Sequence, residues 1–456
     1  MMSPADPPPS ANAGLERPDP ERRDPERPDP DATMRKIIWR VMPLLMICYM
    51  FAFYDRTNIS FAKFQLQRDL HLSDTAYGLG ASLFVAGYAI FDLPSNLMLY
   101  RVGARRWLAR IMITWGIATA AMMFVRSDWQ FYALRFLIGA FEAGFFPGVY
   151  YYMTLWFPAH QRGRVTSLLF AASACAQIIG APVSGLVLDH LDGTLGLQGW
   201  NWLFVIGGLP CIVLGIVLLL RLEDTVAGAR WLTPGEKRLV TGWITAQNRE
   251  IPGHSLIGAL REPGFLLLGL IYFLIQVASY GLNFWGPQLI RSAGAHSATT
   301  LGLLTAVPYI CGATMMLTVG RLSDGSGERR TFVAALIATA SVGFLAAGLL
   351  ATSPILIVAA LALIGTGVVA SIPAFWALPP KVVAGAGAAA GIALINTLGH
   401  LGGIVSPVMV GAIRDATGTT TPAMYVIAGS SLVCAALLLF AVPEVLRRRD
   451  QPLRAP

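Results

Sequence analysis

Twelve long apolar stretches are the feature that most constrains how this chain of 456 residues can fold. A helix that crosses a membrane needs about 20 mostly apolar residues, and each stretch is long enough. Only 13% of the residues are charged, against about 25% in soluble domains, so the chain cannot cover a water-facing surface of its own size. We therefore predict an all-α integral membrane protein with twelve transmembrane helices in two pseudo-symmetric six-helix bundles. The stretches cover approximately residues 38–62, 75–99, 107–126, 129–155, 163–188, 201–221, 264–290, 299–320, 331–351, 354–378, 385–412 and 421–443.

Two polar regions divide the chain into units. The longest polar interruption separates six stretches from six, and its TPGEKRLVTGW segment is typical of the start of a short helix. The first 33 residues hold nine prolines and nothing apolar to bury, which predicts a disordered tail rather than a secretory signal. The predicted units are a tail at 1–34, a bundle at 35–221, a cytoplasmic linker at 222–263, a second bundle at 264–445 and a tail at 446–456.

The distribution of basic residues predicts the orientation. If the N-terminus is inside, the tails and even-numbered loops hold 27 of the 34 lysines and arginines, the opposite side holds five, and two lie deep within stretches. Positively charged loops tend to stay in the cytoplasm. We therefore predict that both termini are cytoplasmic, and that the net charge of +8 reflects topology and not nucleic-acid binding.

Short motifs recur in the two halves. The fifth stretch contains GAPVSGLVLD and the eleventh contains VSPVMVGAIRD, each with a proline, then a glycine, then an aspartate at the outer end. The loops YRVGARRW and GRLSDGSGERR, after the second and eighth stretches, both end in paired arginines at the cytoplasmic face. Weak repeats of this kind are typical of transporters built from two related halves. In these loops we predict gating roles for Arg105, Asp324 and Arg329.

Motifs for other sources of energy do not occur in the sequence. A Walker A loop requires Gly-Lys-Ser/Thr, and none of the four lysines follows glycine or precedes serine or threonine. No metal-ligand or nucleophile motif occurs either, so we expect neither enzyme activity nor a cofactor. An ion gradient is the energy source that remains.

Four ionisable residues interrupt apolar stretches, where a charge costs several kcal/mol unless it is paired or hydrated. They are Asp55 and Arg56 in the first stretch and Arg135 and Glu142 in the fourth. Because seven residues make about two helical turns, Arg135 and Glu142 should point the same way, and we expect all four to face a shared central cavity.

These four residues suggest an anion site coupled to protons. Arginine holds a carboxylate in a bidentate fork and keeps its charge in a dry cavity, which indicates an anion site at Arg56 and Arg135. Asp55 and Glu142 can change charge. A bound anion would partly neutralise a neighbouring arginine and so favour proton uptake by the acid. The structural alternative is that Asp55–Arg56 and Arg135–Glu142 are fixed ion pairs.

Other polar side chains within the stretches are weaker candidates. Asn396 could hydrogen-bond a substrate hydroxyl or carboxylate, and His400 is interpreted as a polar helix contact in preference to a proton relay. Tyr88 and Trp376 are equally consistent with helix packing and with cavity lining. Asp92, near the inner end of the second stretch, is interpreted as a gating or structural ion pair in preference to a substrate contact.

Six segments that contain these residues or lie near them together resemble the major facilitator superfamily and, more narrowly, its anion:cation symporter family. The matching segments lie within residues 35–445 and read YDRTNISFA, GYAIFDLPSNLML, RFLIGAFEAGFFPG, WFPAHQRGR, YGLNFWGPQ and AAAGIALINTLGHLGG. The loop after the second stretch departs from the superfamily's Gly-x-x-x-Asp form, since residues 100–103 lack the acid, whereas the loop after the eighth stretch keeps Asp324.

The resemblance implies proton-coupled import of a small organic anion by alternating access in the plasma membrane, the inner membrane of a bacterium. Tartrate, a sugar acid and an aromatic acid are the substrates it suggests. The implied roles are substrate contact for Arg56, Arg135, Tyr88, Trp376 and Asn396, and proton coupling for Asp55 and Glu142.

Two other functions stay open on the residues alone, a proton-driven efflux antiporter and a transporter-like sensor. Two cavity arginines disfavour cationic drugs because like charges repel, and the proline-rich tail is a poor signalling domain. The residues also leave the anion open, since two arginines suit a dicarboxylate or a hydroxy acid, and aromatic residues suit a benzoate-like ring. We expect a monomer in the lipid bilayer, because the cavity would lie between the halves of one chain.

Overall fold

The computed structural model describes residues 28–247, 263–326, 329–350, 353–379 and 388–442, which are helical apart from short connections. The prediction of an all-α fold is confirmed. A 3-10 turn at Met122–Phe124 extends α3, and a π-helical turn at Leu437–Ala441 extends α14. The α-helices are α1 Pro30–Leu70, α2 Asp74–Val102, α3 Ala104–Ala121, α4 Asp128–Glu142, α5 Phe145–Trp156, α6 Ala159–His190, α7 Gly199–Arg221, α8 Pro234–Gln247, α9 Pro263–Ser292, α10 Ala298–Ser326, α11 Arg329–Leu349, α12 Pro354–Trp376, α13 Ala388–Thr417 and α14 Thr421–Ala436.

Eleven helices within the described ranges are long and apolar enough to cross a membrane. The remaining predicted stretch, 129–155, is covered by two shorter helices, α4 and α5, which are separated at Ala143 and Gly144. Each predicted stretch is therefore helical over most of its described length, apart from this break and a few residues at the ends of the third, ninth and tenth stretches, and the ends of three stretches lie outside the described residues. Large apolar side chains such as Leu220 and Phe440 are exposed on the helix surfaces, as expected for contact with lipid.

The first helix is longer than predicted at both ends. It begins at Pro30, where Asp29 caps it by accepting a hydrogen bond from the Asp31 amide at 2.9 Å, so residues 30–34, which were predicted as part of the tail, are helical. It continues to Leu70 and buries Lys63, one of the five basic residues that the predicted orientation places on the side opposite the cytoplasm. Residues 1–27 and the predicted tail at 446–456 lie outside the described residues.

The two bundles share one packing pattern. In the first bundle α1 packs against α6, α2 against α4 and α3 against α7; in the second, α9 packs against α13, α10 against α12 and α11 against α14. Between the bundles, α2 packs against α13 and α6 against α10, which is again a related pair of contacts. The predicted pseudo-symmetry is therefore visible both within and between the bundles.

The predicted short helix of the linker is α8. Its start is a reciprocal cap, because the Thr233 hydroxyl accepts from the Glu236 amide at 3.3 Å and the Glu236 carboxylate accepts from the Thr233 amide at 2.8 Å. Glu236 also pairs with Lys36 of α1 at 2.9 Å, which ties the linker to the first bundle. Residues 248–262 of the linker lie outside the described part of the chain.

The repeated Pro-Gly-Asp motif joins the bundles at one end, which we call the outer end. Asp189 of α6 caps α10, since its Oδ1 and Oδ2 accept from the first two backbone amides of that helix at 3.1 and 2.7 Å. Asp415 of α13 caps α2 in the same way, at 3.1 and 2.7 Å. A carboxylate is favourable there because the first amides of a helix are unpaired and the helix dipole is positive at its N-terminus. We call these two contacts the outer caps.

The glycine of each motif makes these contacts possible. A Cβ atom at Gly185 would collide with the backbone carbonyl of Ala298, and one at Gly411 would collide with that of Asp74. Backbone therefore meets backbone at both crossings, as is common where membrane helices pack closely.

A buried ion cluster adds to the contact between α2 and α13. Asp74 Oδ1 lies 2.8 Å from both Lys63 Nζ and Arg414 Nη1. Lys63 is fully buried, and its ammonium lies 3.6 Å from the centre of the Trp285 ring of α9. Helices α1, α2, α9 and α13 therefore meet at this cluster, and the outer end is closed in this structure.

Removing both outer caps is expected to open the outer end. The variant Asp189→Asn/Asp415→Asn loses the charge at two helix N-termini, together about 1–2 kcal/mol, or a factor of about 5–30 in the equilibrium between closed and open states. Nitroxide labels on Thr194→Cys and Thr417→Cys, which are exposed positions on opposite bundles, should report a larger population of long distances in pulsed EPR, once the five native cysteines are replaced.

The matched control is Asp192→Asn. Asp192 caps α7 by accepting from the Gly199 amide at 2.8 Å, entirely within the first bundle. Its loss should leave the distance distribution unchanged. Equal distributions for the double variant and the parent would contradict a role of the outer caps in closure.

Candidate functional site

A cavity of about 220 Å³ lies between the bundles, walled by α1, α2, α4, α5, α6, α9, α12 and α13. Of the 23 lining residues in the described part of the chain, eleven are aromatic and two, Arg56 and Glu142, are charged. A concave, mostly apolar site with a few convergent polar groups is the usual form of a small-molecule site.

Arg56 and Glu142 form the charged wall of the cavity. Arg56 Nε donates to Glu142 Oε1 at 2.7 Å, and Arg56 Nη2 lies 2.5 Å from the same oxygen. The Arg56 guanidinium also lies 5.0 Å from the centre of the Tyr88 ring and 5.3 Å from that of Phe53. Glu142 is fully buried, and its second oxygen, Oε2, has no hydrogen-bond partner among the described residues. The pair therefore links α1 to α4 and leaves one carboxylate oxygen unpaired.

Asp55 lies outside the cavity lining and points towards α3. Its Oδ2 accepts from Trp115 Nε1 at 2.7 Å and from the Thr119 hydroxyl at 2.8 Å, and its Oδ1 accepts from Asn58 Nδ2 at 3.1 Å. Consecutive helical residues point about 100° apart, so Asp55 and Arg56 cannot face the same space. Three donors satisfy this buried carboxylate.

Arg135 lies behind the cavity wall. Its Nε donates to the Gly80 carbonyl at 3.3 Å, and its guanidinium lies 4.8 Å from the centre of the Phe84 ring, which lines the cavity. It is almost completely buried, and its Nη2 finds no hydrogen-bond partner in the described ranges. Arg135 is still close enough to interact electrostatically with Asp55 and Glu142.

The expectation that all four charged residues face one cavity is therefore wrong for Asp55 and Arg135. Arg56 and Glu142 line the cavity, and the other two lie in the protein behind them. The ion pairs offered as the structural alternative are wrong too, because Glu142 pairs with Arg56 across two helices.

Tyr88, Trp376 and Asn396 all line the cavity, and so does His400. Asn396 Nδ2 lies 3.3 Å from His400 Nε2, and the His400 ring centre lies 5.3 Å from that of Tyr88. Trp376 packs edge-on against the Tyr272 ring at 5.0 Å. Their position is the one that substrate contact requires, and the contact itself stays a prediction.

A break in the fourth stretch positions Glu142. Gly144 has a φ of +81°, a left-handed conformation that favours glycine, and α4 ends two residues earlier at Glu142. Asp92 Oδ1 accepts from the Gly144 amide at 3.2 Å, which satisfies a donor freed by the break. Asp92 therefore caps the break from within the same bundle and forms no ion pair among the described residues, so the ion-pair interpretation is wrong there, while its gating role stays a prediction.

The predicted gating loops are described only in part. Arg105 donates through its amide to Asp224 Oδ1 at 2.8 Å and through Nε to the Leu219 carbonyl at 2.6 Å, so these contacts stay beside the first bundle. Arg329 begins α11. The side chain of Asp324 lies outside the described part of the structure. Gating by these three residues stays a prediction.

Two cavity amides, Gln177 and Gln276, were not among the sequence candidates. Gln177 Nε2 donates to Asn283 Oδ1 at 3.2 Å, and the Tyr309 hydroxyl donates to the same oxygen at 2.6 Å. Gln276 Oε1 is buried without a partner in the described ranges. The signal that could have found them is an amide inside an apolar stretch, with Gln276 and Asn283 seven residues apart on one helix face.

Metal binding has no support in the described residues, where no group of three or more His, Cys, Asp or Glu side chains could hold an ion. The cavity's polar groups are instead one ion pair, several amides, one histidine and several hydroxyls, which suit direct binding of a small polar molecule.

Comparisons with known proteins agree with this architecture. The chain matches the sequence model of the Major Facilitator Superfamily over residues 45–296 and 268–455. It is 42% identical over 410 residues to a protein named "Putative tartrate transporter" from Agrobacterium vitis, covering 89% of this chain and 90% of that protein. It is 36% identical over 421 residues to a protein named "Quinolone resistance transporter" from Acinetobacter baumannii, covering 92% of this chain and 96% of that protein.

A solved structure agrees on the fold. The D-xylose-proton symporter has a TM-score of 0.73 with this chain at 15% sequence identity, over 90% of this chain and 98% of that one. At this identity the likeness is one of architecture alone.

The break at Gly144 generates a stability prediction. Gly144→Ala should lower the midpoint of thermal unfolding of the purified protein, because a left-handed conformation costs an alanine about 1–2 kcal/mol and its Cβ would meet the Ser95 side chain. Gly163→Ala is the matched control, since Gly163 of α6 has open space around it and no positive φ. Similar midpoints for the two variants would contradict a strained break at Gly144.

Proposed function

This chain belongs to the major facilitator superfamily, and we propose that it imports a small organic anion together with protons by alternating access. It is a secondary transporter in a membrane and not an enzyme. The relative named as a tartrate transporter supports an organic anion as the substrate, in agreement with the narrower resemblance to anion:cation symporters. The observation that carries the proposal is the ion pair between Arg56 and Glu142 in the cavity wall.

The proposed coupling follows from the charge balance of this pair. When Glu142 is ionised, its carboxylate pairs with Arg56, and the site without substrate carries no net charge. When Glu142 takes up a proton, Arg56 is released and can bind a substrate carboxylate. One proton and one carboxylate then enter together, so the buried site stays neutral in both states, which avoids the large cost of an uncompensated buried charge.

Asp55 and Arg135 are proposed as a second charge pair that supports the first. Arg135 lies near both acids, so protonation of either one changes its electrostatic balance. Asp55 is held by Trp115 and Thr119 of α3, which would relay its charge state to helix packing. In this proposal Asp55 is the second coupling acid, which can take up the proton in place of Glu142 and not in addition to it, and Arg135 acts on the substrate anion through the field of the site.

Alternating access is supported by the closed outer end. The outer caps and the cluster around Asp74 hold α2 to α13 and α6 to α10, and rocking of one bundle against the other would separate both contacts together. We further propose that the chain works as a monomer in a bacterial inner membrane with both termini in the cytoplasm, which follows from the excess of basic residues in the loops of that side.

Efflux is the second candidate function, because one relative is named for quinolone resistance. The two functions differ in how an imposed proton gradient moves substrate. An inward gradient drives a symporter to accumulate substrate in proteoliposomes and drives an antiporter to deplete preloaded substrate. Accumulation would support import, and depletion would support efflux.

The coupling is tested with Glu142→Gln in proteoliposomes. Glutamine resembles the protonated acid, so Arg56 is free in every state and the proton step is absent. Uptake of labelled tartrate, gluconate or 4-hydroxybenzoate under an inward proton gradient should lose its dependence on that gradient, while exchange of labelled for unlabelled substrate continues. Arg56→Gln should lower both gradient-driven uptake and exchange by about tenfold or more, since a hydrogen bond to a charged group is worth about 1.5–3 kcal/mol.

Glu236→Gln is the matched control for both variants. Glu236 also pairs with a cation, Lys36, but lies outside the cavity on the linker. It should leave gradient-driven uptake and exchange unchanged. Gradient-driven accumulation at the parental level in Glu142→Gln would overturn the coupling role of this acid.

A further inference from the structure

An arginine lies inside a membrane-spanning helix without a partner. Arg110 is the seventh residue of α3, about 9 Å along the helix axis from its start at Ala104. The Arg110 side chain is partly buried, and its Nε finds no hydrogen-bond partner among the described residues. No neighbouring charge in the described chain offsets this burial. Because a charge within a span is normally paired or hydrated, Arg110 requires a partner from outside the described chain.

The guanidinium of Arg110 is held in one orientation. It lies 3.9 Å from the centre of the Trp107 ring, which is close enough for a cation–π contact. The Trp107 ring is itself fixed, because its Nε1 donates to the Ser95 hydroxyl of α2 at 3.0 Å. Helix α3 begins at the end of the molecule opposite the outer caps, which we call the inner end. Since helical side chains lean towards the start of their helix, Arg110 points towards the inner end.

A second arginine lies on the same face of α3. Arg106 is exposed and precedes Arg110 by one turn, so the two side chains are neighbours on the helix surface. Arg105 is instead committed to the protein, because its Nε donates to the Leu219 carbonyl at 2.6 Å. The acid at this end of α3, Asp224, accepts from the Arg105 amide. Two adjacent guanidinium groups suit an anion with several acceptor oxygens, such as a phosphate group.

The rest of this face is apolar. Ile113 and Ile117 follow Arg110 on the same side of α3, and Ile117 is exposed. Helix α7 packs beside α3, where a Cβ at Gly215 would meet the Ile113 side chain, and it exposes Ile216 next to this contact. The surface therefore changes from two cations at the inner end to apolar side chains deeper in the membrane.

A phospholipid is the ligand that matches both parts of this surface. A free anion in water would match the arginines alone. A phospholipid places its phosphate at the membrane surface and its acyl chains against the apolar side chains below it. Two guanidinium groups that face one phosphate leave an excess of positive charge, so a lipid with a net negative charge is favoured over a zwitterionic one.

We propose that Arg106 and Arg110 bind the phosphate of an anionic phospholipid from the leaflet at the inner end, with an acyl chain along Ile113 and Ile117. Trp107 is a positioning residue that holds the Arg110 guanidinium towards the phosphate. All of these side chains lie outside the described lining of the cavity between the bundles. The lipid site therefore does not depend on which substrate the protein carries.

Selective binding of lipid by the purified full chain in detergent is the first test. Phosphatidylglycerol and phosphatidylcholine with identical acyl chains are titrated in turn. Bound lipid is counted by native mass spectrometry, and the midpoint of thermal unfolding is followed. We expect phosphatidylglycerol to bind at least fivefold more tightly and to raise the midpoint. Equal affinities would overturn the selection of an anionic lipid, and an equal rise with sodium phosphate in place of lipid would overturn a lipid as the ligand.

The variant Arg110→Gln tests the site itself. It removes the inner of the two charges, so affinity for phosphatidylglycerol should fall about five- to tenfold while affinity for phosphatidylcholine stays within about twofold. Arg164→Gln is the matched control, because Arg164 is an exposed arginine near the start of α6, also at the inner end. Equal losses for the two variants would assign the lipid preference to the general positive charge of this end and overturn the site.

Two substitutions of Trp107 test its positioning role. Both Trp107→Phe and Trp107→Leu lose the hydrogen bond to Ser95, but only the first keeps an aromatic ring against Arg110. The leucine variant should bind phosphatidylglycerol about two- to fivefold more weakly than the phenylalanine variant, with equal affinities for phosphatidylcholine. Equal affinities of the two variants for phosphatidylglycerol would overturn the role of the ring. If a variant does not fold, the comparison of the two lipids on the wild-type protein still decides the site.

Discussion

The ion pair between Arg56 and Glu142 is the interaction on which the function of this fold depends, because neither charge could lie between two apolar bundles without the other. In a medium of low dielectric constant the attraction is strong and the loss of one partner is severe. A site built in this way is restricted to exchanges that keep it neutral. Proton uptake by Glu142 together with anion binding to Arg56 is such an exchange. The coupling of protons to the anion therefore follows from electrostatics and needs no further structural element.

The contacts between the bundles also depend on charged groups. At the outer end they consist of two carboxylates on helix N-termini, backbone contacts at glycines and one buried ion cluster. Each cap contributes modestly, and each group can be hydrated after separation. The repeat of the Pro-Gly-Asp motif ensures that the two crossings are alike, so one rocking motion breaks or forms both. The closure of the outer end and the position of the cavity between the bundles therefore depend on the same two-fold relation between the halves.

The sequence predicts the helices well because a membrane span has a length and an apolarity that can be counted. It predicts the charged residues of the site by the same logic, because a charged side chain is conspicuous within an apolar stretch. These residues are Asp55, Arg56, Arg135 and Glu142. It does not predict which of them face the cavity. Asp55 and Arg56 diverge by about 100°, and only the packing of α1 against α6 and α7 decides which one turns inward.

The break at Gly144 and the position of His400 in the cavity wall are harder to predict for a further reason. A glycine in an apolar stretch is consistent with close helix packing and with a break, and φ alone distinguishes them. An isolated histidine is consistent with packing and with ligand contact, and only the position of its ring in the cavity lining beside Tyr88 favours the second. In both cases the contacts that distinguish the alternatives involve residues that are distant in the chain.

The placement of the two ends of the cavity on different bundles connects recognition to movement. Arg56 belongs to the first bundle, and His400 and Gln276 belong to the second. An anion held only by Arg56 would interact equally with any arrangement of the bundles, and a ligand without differential interaction shifts no equilibrium. A substrate that bridges Arg56 and His400 binds best when the bundles are close, so its binding energy favours the closed intermediate of alternating access. The distance that the molecule can span between Arg56 and the wall of the second bundle would then decide whether it is transported or only bound.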